Sequence, residues 1–122
     1  MNLTDEEIRI KVAESLGWVQ IWKRQCGHNL GAPGAFDWVG REKPGGVEYI
    51  LPNYPADLNA CAEFEATLTD EELSLYGHEL GRQTECMQWY NGYISAFGIT
   101  VIARATARQR CLAYLKTKAI IP

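Results

Sequence analysis

The chain has 122 residues, 47% hydrophobic and 22% charged, with four Trp, six Tyr and three Phe; that is one domain, 1–122, with enough apolar surface to collapse, which excludes global disorder. No run of about 18 apolar residues offers a transmembrane helix, and the acidic start from Asn2 to Glu7 does not read as a secretory signal, so the expected location is the cytoplasm. The net charge of −3 argues against a general nucleic-acid binder.

Thr4-Asp5-Glu6-Glu7 is a capping box, in which the Thr4 hydroxyl accepts from the Glu7 amide and Glu7 reaches back to the Thr4 amide. It predicts a helix over 5–16, with Ile8, Val12 and Leu16 as its buried stripe and Gly17 just past its end. Trp18–Trp22 is β-rich and predicts a first strand. Residues 24–48 hold six glycines with Pro33 and Pro44, and form the irregular part of the chain. Phe36–Val39 and Val47–Ile50 are short β-like segments in or beside it. Leu51–Pro55 is a turn into a helix predicted over 56–66. Pro55 suits its first position, and Leu58, Cys61 and either Phe64 or Leu68 are expected to face inward.

Thr69-Asp70-Glu71-Glu72 repeats the capping box. It opens a short helix through Leu73, Tyr76 and Leu80 that is expected to end at Gly81. The letters Leu-Thr-Asp-Glu-Glu occur at 3–7 and again at 68–72. No longer repeat surrounds them, so this is one capping solution used twice. Asn91-Gly92 between β-rich runs at 85–90 and 93–97 marks a tight hairpin. Its second arm continues through 99–103, with Gly98 as a bulge. Thr106-Ala107-Arg108-Gln109 is a third capping box. The last helix then covers 107–118, with Cys111, Leu112, Leu115 and Ala119 on its inner face. This order predicts an α+β fold, a small and mostly antiparallel sheet with helices packed on it.

Several of these pieces together resemble the phage ABA sandwich domain, a family of small bacteriophage and prophage proteins. They are Leu51-Pro52-Asn53-Tyr54-Pro55-Ala56-Asp57-Leu58-Asn59-Ala60-Cys61, the hairpin after it, Ala105–Ala113, and the opening Leu16-Gly17-Trp18. The resemblance covers most of the chain. It implies an α-β-α sandwich, a phage or prophage origin, and hence the cytoplasm of a bacterial host. No catalytic signature carries over. The chain departs from the family at Pro55, where a capping Ser is usual, which leaves Asn53, Tyr54 or Asp57 to cap the second helix.

The cysteines, Cys26, Cys61, Cys86 and Cys111, stand singly with no C-x-x-C pair. That spacing argues against a disulfide framework and against a closed zinc site. Cys61 and Cys111 fall on apolar helix faces and read as buried thiols acting as small hydrophobes. The sequence holds no phosphate loop, dinucleotide fingerprint, nucleophile elbow or zinc-protease motif. Cys26 and His28 lie two residues apart in a loop, a spacing that rarely aligns a nucleophile with its base. His78 falls on the acidic helix and is expected to be exposed. Glu63 and Glu65 point to different sides of a helix. The expectation is a protein that binds without catalysis, with no cofactor and no metal.

All fifteen acids and seven of the twelve bases precede residue 104. The remaining bases, Arg104, Arg108, Arg110, Lys116 and Lys118, make the last element a cationic strip. Such a strip either pairs with the acidic helices beside it or holds an anion. Trp18, Trp22, Trp38, Tyr49, Tyr54, Trp89, Tyr90 and Tyr93 lie in or next to strands and the Gly-rich segment, and aromatic faces stack on planar ligands. Arg104 and Arg108 flank the N-terminus of the last helix, where free amides favour an anion. The candidate binding set is Trp38, Tyr54, Asp57, Trp89, Arg104 and Arg108, with a ring on an aromatic and a phosphate at Arg108. The functional expectation is a phage accessory protein that sequesters a nucleotide-like small molecule as a counter-defence factor. The alternative is a protein-interaction module that binds and inhibits a host protein. An exposed hairpin edge also invites a homodimer.

Overall fold

Threonines open three of the helices. The computed structural model describes residues 2–25, 36–84, 89–90, 93–94 and 104–122. Thr4, Thr69 and Thr106 cap α1 (Asp5–Ser15), α3 (Asp70–Gln83) and α4 (Ala107–Thr117). At each start the Thr hydroxyl accepts from the amide three residues on, and the Glu or Gln side chain there accepts from the Thr amide. All three capping boxes form as the sequence predicts.

The remaining described helix, α2 (Leu58–Glu65), starts later than expected. Pro55 sits instead inside a 3-10 turn, Tyr54–Ala56. Asp57 follows in an extended conformation and caps α2, its carboxylate accepting from the Asn59 amide at 2.9 Å. The buried stripe is Ala60, Cys61 and Phe64. Leu58 lies on the flank of that stripe in the first turn and is exposed, not inward. Leu73 of α3 is likewise exposed. Gly81 does not end α3; it is a buried residue inside it. Ala119, expected on the inner face of α4, lies past the helix end with φ +56° and is exposed.

Three strands, β1 (Val19–Gln25), β2 (Phe36–Arg41) and β3 (Glu48–Ile50), pair antiparallel in chain order. Trp22 stands opposite Val39, and Val39 opposite Ile50. The β1–β2 register slips between Val19 and Trp22, where Gln20 has φ +53°. That is a bulge, and it twists the β1 edge. A separate hairpin pairs β4 (Trp89–Tyr90) with β5 (Tyr93–Ile94), Tyr90 opposite Tyr93, the register of a two-residue connection. The expected arm through 95–103, the Gly98 bulge, Cys26, His28 and Cys86 lie outside the described residues. The α+β class stands.

The core is built round α4. Cys111, Ala113, Tyr114 and Leu115 are at most 1% exposed. The Phe64 ring of α2 lies 4.5 Å from that of Tyr114 and 6.2 Å from that of Tyr54. The Tyr114 hydroxyl shares a 2.8 Å hydrogen bond with Ser15 of α1. Three bases at α4 each reach a different helix. Arg108 pairs with Asp5 of α1, Arg110 with Glu65 of α2 at 3.0 Å, and Lys118 with Glu72 of α3 at 2.6 Å. Of the two readings of the cationic strip, these contacts are the pairing one.

Arg9 of α1 ties the sheet to the helices. Its guanidinium donates to the carbonyls of Leu51 and Pro52 and pairs with Asp37 of β2 at 2.9 Å. The inner side of the sheet brings Ile21 and Trp38 against the core beside Leu51. A Cβ at Gly40 would lie 3.1–3.3 Å from the side chains of Ile21, Leu51 and Trp18, tighter than ordinary contact, so those side chains would have to give way. No described helix is long and apolar enough to cross a membrane.

Replacing Arg9 by Met keeps the aliphatic stem and strands the two carbonyls. The expected loss is about 2–3 kcal/mol in denaturant titration. Thr69→Ala, which removes one exposed cap, should cost about 1 kcal/mol. An Arg9→Met loss no larger than that of Thr69→Ala would contradict the tie.

Candidate functional site

Side chains alternate across a strand, so every second residue of β1, β2 and β3 points away from the core. On that outer side the three strands bring together Trp22, Arg24, Arg41, Glu48 and Ile50. Glu48 is the centre. Its Oε2 accepts from the Trp22 indole Nε1–H at 2.8 Å, and its Oε1 accepts from Arg24 Nη1 at 2.8 Å. Arg41 Nη2 lies 3.9 Å from Oε2, and its Nη1 donates to the Gly46 carbonyl. The Trp22 hydrogen bond, then Arg24, hold the Glu48 carboxyl below the usual carboxylate range, against the opposing effect of desolvation.

The result is an apolar strip with an ionic border. Trp22, Val39 and Ile50 line up across the sheet, and Val39 beneath them is buried. Trp22 is 49% exposed and Ile50 58%. Asp37, opposite Arg24 in the register, brings a second carboxylate to this border, which is therefore ionic and mixed in sign. A hollow of about 410 Å³ lies at the β2–β3 turn, lined by Glu42, Lys43, Gly46, Val47 and Tyr49, and Tyr49 stands opposite Gly40, on the other side of the sheet from the strip. Tyr49 and Val47 are each more than half exposed. An exposed Trp with its N–H fixed, ringed by arginines, has the makeup of an interface anchor.

The described members of the sequence-derived binding set are placed apart, each in a separate role. Tyr54 is fully buried, its hydroxyl donating to Glu63 at 3.2 Å, so no ligand in solvent can stack on it. Burial, then the Glu63 charge, pushes its phenol pKa up. Asp57 is occupied as the α2 cap. Arg108 donates to Asp5 and to the Leu3 carbonyl, fastening α1. Trp38 lies on the core side of the sheet, with Lys23 Nζ 5.8 Å from its ring centroid. Its indole N–H is buried and has no hydrogen-bond partner among the described residues. Arg104 is exposed just before α4. The side chain of Trp89 lies outside the described residues. No hydrogen bond or ion pair joins any two of the described members.

Among the described residues no three metal-binding side chains cluster. The chain matches no protein-family model, no curated protein and no solved structure.

If Glu48 organises the outer face, acid should release it. A carboxylate whose folded pKa is depressed contributes stability above its unfolded pKa and loses it as pH falls through the lower folded value. The Trp22 indole N–H resonance should therefore shift only at pH values below the usual carboxylate range. Glu48→Gln should abolish that titration. An indole resonance that follows the same acid curve in both proteins would remove Glu48 from the centre.

Proposed function

We propose that this protein acts by binding another protein through the outer face of its three-stranded sheet. One observation carries the reading: Trp22 and Ile50 stay about half exposed although Val39 between them is buried. A partner that fits supplies an apolar side chain for the strip and polar groups for its ionic border. The face is favoured over the edge of β1. That edge is bulged near Gln20 and carries Lys23 and Arg24, devices that discourage strand addition.

With the likeness to phage sandwich proteins, this leads to a phage accessory protein that inhibits a host protein in the bacterial cytoplasm by covering part of its surface. A nucleotide-like small molecule is the second reading. It is favoured by the exposed Trp22 indole lying beside the Arg24 and Arg41 guanidiniums.

Affinity capture from bacterial lysate, with wild type and variants as bait, tests the first reading. Trp22→Ala and Ile50→Glu should each lower recovery of one specific protein about tenfold or more. Leu73→Glu, an exposed change on α3, should leave it unchanged. Equal recovery by all four baits contradicts the reading. Native mass spectrometry showing a retained small mass, lost in Trp22→Ala, supports the second.

A further inference from the structure

Two cysteines meet inside the core. Cys61 is on α2, Cys111 is on α4, and both are free and 0% exposed. The Cys61 sulfur lies 3.3 Å from the Tyr54 carbonyl and 3.6 Å from the Ala107 carbonyl. Ala107 is one helical turn before Cys111, so Cys61 packs directly on the turn that carries its neighbour. The two thiols are close enough that each shifts the other's ionisation. Two buried thiols brought to the same turn of α4 from separate helices are more than small hydrophobes filling space.

We propose that Cys61 and Cys111 form a modification site, an oxidisable pair that a hydroperoxide converts to an intramolecular disulfide. A small oxidant is required, because neither sulfur is exposed and a bulky disulfide reagent has no way in. The neighbouring Cys111 holds the Cys61 thiol below its ordinary pKa, against burial, while Cys61 and burial push Cys111 up. Cys61 is taken as the attacking sulfur; exchanging the two sulfurs gives the same product. Its thiolate attacks one peroxide oxygen: an S–O bond forms, the O–O bond breaks, and the leaving hydroxide takes up the proton that Cys61 gave away. The Cys111 sulfur then attacks the sulfenic sulfur. The S–S bond forms, the S–O bond breaks, and water leaves with the Cys111 proton. Two thiols lose two electrons and two protons, and one peroxide becomes two waters.

The bond ties α2 to α4 and closes a loop of about 50 residues. It also removes the S–H that donates to the Tyr54 carbonyl, in the turn between β3 and α2. The full-length chain treated with hydrogen peroxide, then alkylated under denaturing conditions and mapped with trypsin, tests the site. The expected main product has lost two hydrogens and links Cys61 to the peptide 111–116. Its thermal midpoint should rise on the order of 10 °C and fall back with dithiothreitol. Cys111→Ser should lose both responses, and Cys111→Ala repeats the test if the serine is not tolerated in the core. Both thiols fully alkylated after peroxide, separate oxidation of each sulfur, or links that run to Cys26 or Cys86 instead would each overturn the proposal.

Discussion

The last helix is the constraint on which the rest of the described structure depends. Its apolar side is sealed by Tyr114, which touches α2 through Phe64 and α1 through Ser15. Its polar side places one cation against each of the other described helices. The ion pairs are partly exposed and individually weak. Their value lies in register: each fixes where a helix lies along α4. Arg110 shows how closely this is built, since its partner Glu65 also accepts from the Tyr76 hydroxyl at 2.6 Å. Burial, then Glu65, pushes the Tyr76 phenol pKa up.

From that helical layer a single arginine reaches the sheet. Arg9 serves carbonyls at the end of β3 and a carboxylate of β2, so both strands take their position from α1. The core side of the sheet is thereby committed. Ile21, Trp38 and Leu51 are used against the helices, and Gly40 leaves room for them. What remains is the outer side, where Glu48 collects Trp22, Arg24 and Arg41. With its N–H held by Glu48, the exposed Trp22 presents its ring in one fixed orientation. That is the physical basis for reading this face as a contact surface.

The parts legible in the sequence were those governed by local chemistry. A capping box needs only four consecutive residues, so Thr4, Thr69 and Thr106 each announced a helix start correctly. The α2 start was misread because two local signals compete there. Pro55 fits a first helical position, yet Asp57 is the better cap, and the choice follows from burying Tyr54. The binding set failed for a different reason. Arg108 has its partner 103 residues away, at Asp5. Until α1 is docked on α4 that arginine reads as a free cation. The outer-face cluster has the same difficulty in reverse. Trp22 and Glu48 are 26 residues apart and meet only in one strand register. Alternation within each strand pairs Trp22 with Arg24 and Glu48 with Ile50, but nothing local says which strand lies beside which.

The central claim is that the outer sheet face, and not merely any exposed apolar residue, makes the functional contact. Ile50 on that face and Leu75 on α3 are both 58% exposed, so they are equally available to a bystander. A photo-crosslinking amino acid at each position in turn, irradiated in bacteria, separates site from exposure. The account predicts one dominant crosslinked protein from position 50 and only scattered background from position 75. The same adducts in the same yield from both positions, or none from position 50, would contradict it.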